Sequence, residues 1–172
     1  HYLQPHDRAR GQADLFVNQL QSIKSSRDIK ASKIVLVADV DSKCRIDHVI
    51  EFVEHLHQRT GKYPLIYIEN GELIRSRLRN ASRSQKKLLR KCPYWLALYS
   101  DEYPGIATPK KLIKATKVWK TWALWQYGGV EWENRRSNSK HYRRGPWKTP
   151  KYFGNMSMPM ERNGFNGSKE EL

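Results

Sequence analysis

The stretch from Lys33 to Asp41 constrains the fold more than any other part of the sequence. It reads KIVLVADVD, an almost unbroken apolar run of strand length. A strand can be apolar on both faces only when both are covered, as in a parallel sheet with helices packed on it. The run therefore predicts a buried parallel strand with Asp39 and Asp41 at its carboxyl end.

Further strands and helices alternate after this one. Arg45 to Thr60 carries apolar residues at helical spacing, and Gly61 stands where a C-terminal cap belongs. The other segments that we predict are a helix at 12–20, strands at 64–68, 93–99 and 119–127, and basic helices at 72–78 and 85–91. Strands alternating with helices indicate an α/β fold with a parallel sheet.

The length of 172 residues fits one domain, in which residues 131–159 form an irregular basic excursion. No apolar run is long enough for a transmembrane helix. No signal peptide opens the chain, and the start at His1 suggests a processed or trimmed product. Cys44 and Cys92 are too few for a disulfide scaffold and do not reveal the compartment.

The charge of the chain predicts an anionic partner. The chain has 32 Lys and Arg and 17 Asp and Glu, which gives a net charge of +15. Nucleic acid, an anionic membrane and bacterial wall polymers would all fit, and so would a basic surface that is merely solvated. Aromatic and basic residues interleave over 117–151, as in grooves for single-stranded nucleic acid, but no recognised nucleic-acid motif accompanies them. The histidines show no metal-site spacing, so we predict no metal and no cofactor.

Asp39 and Asp41 are the strongest candidates for chemistry. Residues two apart on a strand point to the same face, and catalytic groups of β/α barrels lie at the carboxyl ends of the strands. Two close carboxylates raise the pKa of one member, which leaves one acid and one ionised group, as glycoside hydrolysis requires. The alternative is that the pair only caps the following helix, because Asp41 and Ser42 precede it.

Several short segments resemble those of glycoside hydrolase family 25, the Chalaropsis-type lysozymes, in order and over nearly the whole chain. The segments are His1-Tyr2, Gln12-Ala13 with Phe16, Asp39-Val40-Asp41, YPLIY at 63–67, CPYWLALY at 92–99, WALWQY at 122–127 and ERNGF at 161–165. The resemblance implies a TIM-barrel-like (β/α)5β3 barrel. The family's first strands have no counterpart here, so we expect a single domain over 1–172 that is incomplete at its amino end.

The resemblance also implies an N-acetylmuramidase, which hydrolyses the β-1,4 bond between N-acetylmuramic acid and N-acetylglucosamine in peptidoglycan. Asp41 stands where the family has its catalytic glutamate and would be the general acid and base. Asp39 would stabilise the acetamido group or the positive charge of the transition state, and Glu161 would lie near the same sugar. We expect Asp41→Ala to lose hydrolysis and Asp41→Glu to keep or raise it.

Substrate-binding roles follow for seven residues, several of them aromatic platforms suited to sugar rings. They are His1, Tyr67, Trp95, Tyr99, Trp125, Gln126 and Glu161. About half of the candidate aromatics are expected to pack in the core instead. A basic rim is expected around the cleft, from Arg75, Arg77 and Arg79 or from residues 135–148.

Two other functions remain open. Aspartate at the glutamate position and the missing strands would also suit a wall-binding or structural protein on a degenerate lysozyme fold. The basic composition keeps nucleic-acid binding as a third possibility. For either wall function we expect a secreted or cell-envelope protein.

Overall fold

A computed structural model of the chain describes residues 1–27, 34–69, 72–97, 113–128 and 161–168. Its elements in chain order are β1 (Tyr2–Leu3), α1 (Ala9–Arg27), β2 (Val37–Val40), α2 (Ile46–Thr60), β3 (Leu65–Glu69), α3 (Glu72–Asn80), α4 (Arg83–Leu89), β4 (Tyr94–Ala97), β5 (Leu124–Gly128) and β6 (Arg162–Phe165). The predicted α/β class is confirmed.

The six strands form one sheet whose spatial order is the order of the chain, β1 to β6. Strands β1 to β5 are parallel, and β6 runs antiparallel to β5. Among the described residues the sheet is open, with β1 and β6 as its edges. The described strands therefore do not by themselves show the (β/α)5β3 barrel that the resemblance implies.

Helix α2 shows why the helices cover one face of the sheet. Its buried residues recur at helical spacing, so one side of the helix is apolar; they are Ile46, Val49, Phe52, Val53 and Leu56. Gly61 ends the helix in the left-handed conformation at φ 71°, and its N–H donates to the carbonyl of His57 at 2.8 Å. Helices α1 and α2 pack against each other.

Alternation along the strands sends residues to two different faces. Ala38, Val40, Ile66, Ile68 and Leu96 are buried in the core. Their neighbours along the strands, which include Asp39, Tyr67 and Trp95, turn the other way. The sheet thus has one apolar face and one face that carries functional side chains.

Several predicted boundaries differ from the structure. The strand predicted over 119–127 begins only at Leu124, because Trp119 lies in a loop and donates its indole N–H to the carbonyls of Leu89 and Cys92. Strand β4 ends at Ala97, and residues 98–99 lie outside the described part, as do Lys33 and the predicted excursion at 131–159.

The two cysteines are buried and unpaired. Burial raises the pKa of the Cys44 thiol to about 11 and that of Cys92 to about 12. Both side chains are therefore protonated and serve as small apolar core residues. In the described residues no helix combines the length and the apolar character needed to cross a bilayer.

Candidate active site

A cleft of about 600 Å³ opens at the carboxyl ends of the parallel strands, where β6 begins. Its walls are Tyr2, Val37, Asp39, Val40, Asp41, Ser42, Tyr67, Trp95, Gln126 and Glu161. Five elements thus contribute to one concave surface, which is the usual place for a binding site in a parallel α/β sheet.

The strand register places four functional side chains in one row across the sheet. Tyr2 pairs with Asp39, Asp39 with Tyr67, and Tyr67 with Trp95. Paired residues of neighbouring strands project to the same face. The rings of Tyr67 and Trp95 meet edge to face with centroids 5.3 Å apart, which forms an aromatic wall beside the carboxylate of Asp39.

Asp41 lies one residue beyond β2 and is held in its ionised form. The hydroxyl of Tyr2 donates to Oδ2 of Asp41, and the N–H of Lys43 donates to Oδ1 at 2.7 Å. These hydrogen bonds, that of Tyr2 foremost, lower the pKa of Asp41. The same contact raises the pKa of Tyr2 to about 12. The helix-capping alternative is wrong for α2, because its N-cap residue is Arg45.

Asp39 has the opposite electrostatic environment. Its side chain is half-buried, and this burial raises its pKa, with a smaller contribution from the charge of Asp41. The pKa values of the two carboxyls are therefore shifted in opposite directions, as we predicted for a pair with one acid and one ionised group. However, the order is the reverse of what the resemblance implies, with Asp39 favoured as the protonated member.

Asp39→Asn is expected to stabilise the fold at neutral pH. The folded state favours protonated Asp39, so its stability decreases as pH rises through the raised pKa of this carboxyl. A neutral amide removes that cost, so the melting temperature at pH 7 should rise. The difference should vanish below the ordinary aspartate pKa, where Asp39 is neutral in both the folded and the unfolded state. Scanning calorimetry of both proteins at pH 3 and pH 7 tests this, and equal melting temperatures at pH 7 would contradict it.

A chain of polar contacts fixes the far wall of the cleft. The hydroxyl of Tyr67 donates to Oε1 of Gln126 at 2.7 Å, and Nε2 of Gln126 donates to Oε2 of Glu161 at 2.5 Å. The indole N–H of Trp95 donates to Oδ1 of Asn163 at 2.8 Å. Two of these contacts join different strands, and the third joins β5 to Glu161 just before β6, so the aromatic wall and the amide are oriented before any ligand binds.

The structure brings together six of the nine predicted site residues: Asp39, Asp41, Tyr67, Trp95, Gln126 and Glu161. It places His1 elsewhere, with the imidazole stacked between Phe16 and Phe52 on the helix side of the sheet. Trp125 is also turned away from the cleft and packs on Trp122 in the core. Tyr99 lies outside the described residues.

Our sequence reasoning missed Tyr2 and Asn163 as parts of the site. Side chains alternate between the two faces along a strand, so a strand through His1 and Tyr2 beside β2 must place one of these two residues on the face of Asp39. Tyr2 could have been predicted from this alternation. The contact of Asn163 with Trp95 depends on the turn of the chain into β6, for which the local sequence holds no signal.

The predicted basic rim is not formed by Arg77. Its guanidinium donates to the carbonyls of Ser42 and Cys44 at 3.0 and 2.8 Å, so it stabilises the turn that follows Asp41. The side chain of Arg75 and residues 135–148 lie outside the described part. Within the described residues no three His, Cys, Asp or Glu side chains are grouped to hold a metal ion.

A family model described as glycosyl hydrolases family 25 matches residues 1–132 of the chain. No curated protein sequence matches the chain. Among solved structures, the chain is similar to a bacterial lysozyme from Streptomyces coelicolor, with a TM-score of 0.54, 18% identity, and coverage of 100% of this chain and 68% of the other.

Two further structures show the same likeness. The Clostridium perfringens spore cortex lytic enzyme SleM has a TM-score of 0.58 at 18% identity, covering 95% of this chain and 46% of that one. A muramidase from Acremonium alcalophilum has a TM-score of 0.52 at 16% identity, covering 99% and 68%. At these identities the likeness concerns the fold.

Proposed function

The chain belongs to glycosyl hydrolases family 25, and on that premise we propose that it is a peptidoglycan N-acetylmuramidase. The bond cleaved would be the β-1,4 linkage between N-acetylmuramic acid and N-acetylglucosamine. The observation that carries the proposal is the pair Asp39 and Asp41, which line one cleft with opposite shifts in pKa.

The two carboxyls would divide the work of glycoside hydrolysis. A glycosidic oxygen must be protonated as its bond breaks, while positive charge develops on the sugar ring. Half-buried Asp39 is suited to donate the proton, because burial raises the pKa of its carboxyl. Ionised Asp41, fixed by Tyr2 and Lys43, is suited to stabilise the developing positive charge.

The remaining walls of the cleft fit a sugar with an acetamido group. Tyr67 and Trp95 present aromatic surface against which apolar C–H groups of a pyranose ring can pack. Gln126 and Glu161 supply polar groups for hydroxyls and amides on the same wall. We propose these four residues, with Asp39 and Asp41, as the substrate site.

Hydrolysis is tested by the release of reducing ends from purified peptidoglycan, with mass spectrometry of the products to identify the new reducing sugar. We expect the natural protein to release N-acetylmuramic acid ends and Asp41→Ala to be inactive. Asp41→Glu should retain activity, since it keeps the charge. The exposed carboxylate variant Asp47→Asn serves as a control with full activity. If no protein of this set hydrolyses walls but all bind them, the chain is a wall-binding protein on a lysozyme fold.

Tyr2→Phe is expected to move one limb of the pH–rate profile. The variant removes the hydroxyl that lowers the pKa of Asp41, so Asp41 would protonate at higher pH. If Asp41 works in its ionised form, the acidic limb moves upward in pH and the alkaline limb stays in place. If Asp41 is the proton donor, the alkaline limb moves instead, and our division of roles is wrong. Tyr63→Phe, remote from the cleft, is the matched control.

We further propose a single catalytic domain acting on the wall outside the cytoplasm, with its sheet as part of a (β/α)5β3 barrel. Consecutive parallel strands in chain order, followed by an antiparallel one, support that arrangement. An experimental structure in which the outer edges of β1 and β6 both remain unpaired would contradict the barrel.

A further inference from the structure

A group of basic side chains lies at the end of the sheet opposite the carboxylates. We define it as the basic face: Lys87, Arg90, Lys114, Lys117 and Lys120, all exposed. The groups adjoin because Nε of Arg90, just after α4, donates to the carbonyl of Val118 at 2.8 Å. Lysines at every third position from 114 to 120 extend the basic face along this segment.

The described residues 73–97 and 113–128, which carry the basic face, contain no acidic residue. The ion pairs found in the described part of the chain all lie on α1, Arg45 and α2. The four lysine side chains make no hydrogen bond or ion pair within that part. Repulsion among these charges costs stability, unless an anion binds there.

A second cleft of about 510 Å³ adjoins this face, at the amino ends of β4 and β5. Arg90 and Lys120 are part of its wall, together with Trp122, Phe165 and Asn166. It therefore joins cations to aromatic and amide groups, the combination that an anionic saccharide unit needs. The carboxylate cleft lies at the other ends of the same strands.

Lys117 occupies a backbone conformation that lysine rarely adopts. Its φ is 55°, in the left-handed region that favours glycine. A glycine there would satisfy the backbone and lose only the charged side chain. The strained position thus carries a cation at the centre of the basic face.

We propose that the basic face and its cleft bind a phosphodiester-linked polymer of the bacterial wall. The proposal rests on the muramidase function, which makes the wall the substrate. Lysine ammonium groups are point charges suited to phosphate, and four of the five cations are lysines. The guanidinium of Arg90 is engaged with the carbonyls of residues 117 and 118, so it is less available for a two-pronged carboxylate contact. A regularly charged polymer would hold the protein on the wall while the opposite cleft faces the glycan.

The test compares purified Gram-positive walls before and after removal of their phosphodiester polymers with hydrofluoric acid. Sedimentation in the cold measures binding. The triple variant Lys114→Gln, Lys117→Gly and Lys120→Gln should bind intact walls about 10- to 100-fold more weakly at low salt. It should bind stripped walls as the natural protein does, and hydrolyse them at the same rate. The matched control, Arg10→Gln, Lys24→Gln and Arg45→Gln, removes the same charge from α1 and the loop before α2.

Each failure has its own signature. Equal binding of the natural protein to intact and stripped walls overturns the proposal, as does equal weakening by the control triple, which would indicate net charge alone. Single-stranded DNA displacing the protein from walls at lower phosphate concentration than free wall polymer would indicate a nucleic-acid face. Absence of hydrolysis in every variant would reject the muramidase function and leave the binding result interpretable.

The single variant Lys117→Gly separates charge from structure. We expect its melting temperature to equal or exceed that of the natural protein, because glycine accepts the left-handed backbone. We also expect its affinity for intact walls to decrease several-fold. Unchanged affinity would show that the side chain of Lys117 has no part in binding.

Discussion

Replacing Asp39 by Asn is expected to lower the rate of peptidoglycan hydrolysis by about 100- to 10,000-fold, the range typical of a lost general acid. An amide keeps the shape of the side chain but cannot deliver a proton to the glycosidic oxygen. The measurement is reducing-end release at the pH optimum, with circular dichroism to show that the fold is intact. Because the same variant should be more stable at pH 7, unfolding cannot explain the loss.

An activated substrate sharpens this prediction. The leaving group of a nitrophenyl glycoside departs as a stable anion and needs no protonation. Asp39→Asn should therefore lose far less activity on such a substrate than on peptidoglycan. A variant that keeps the full rate on peptidoglycan would show that Asp39 is not the acid. Equal losses on both substrates would assign Asp39 to binding or charge stabilisation rather than proton donation.

The second large effect concerns stability. Phe52→Ala should destabilise the fold by about 3–5 kcal/mol, because it empties a fully buried site on α2. That is a large part of the roughly 5–15 kcal/mol available to a typical domain. Denaturant unfolding measures the loss. Leu15→Ala, on the half-exposed side of α1, is the matched control and should cost no more than about 0.5 kcal/mol. A loss below about 1 kcal/mol for Phe52→Ala would mean that α2 does not seal the apolar face of the sheet.

The fold was predictable where one period dominates the sequence. The apolar positions of 45–60 predict α2 to within a residue, and Gly61 ends it as expected. The stretch 119–127 was less informative, because tryptophan suits a strand as well as a buried loop. Trp119 is held in its loop by hydrogen bonds to residues of another element, which no local pattern reveals.

The alternation of side chains between the two faces of the sheet explains which predicted site residues face the cleft and which do not. Trp125 and Gln126 are neighbours on β5, so only one of them can face the cleft, although we predicted both. His1 and Tyr2 present the same choice on β1. In each case the resemblance identified the strand, but the side of the sheet followed from pairing with Asp39 or Ala97.

The charges of Asp39 and Asp41 could be predicted only as a pair. Spacing on one strand predicts that two carboxyls share a face and that one of them holds its proton more tightly. Which one does so depends on the hydroxyl of Tyr2, which comes from a strand more than thirty residues earlier in the chain. Burial of Asp39 likewise depends on neighbouring strands rather than on its own segment.

The agreement between strand order in space and in the chain has a consequence for how the molecule forms. Each strand docks beside the one made just before it, so every new pairing closes a loop of moderate length and the entropy of closure stays small. Such a sheet can grow from its amino end during synthesis, one strand at a time. A nascent chain would then hold Asp39 and Asp41 in place well before residue 161 emerges to meet Gln126. The two walls of the cleft would therefore report on an early and a late stage of folding.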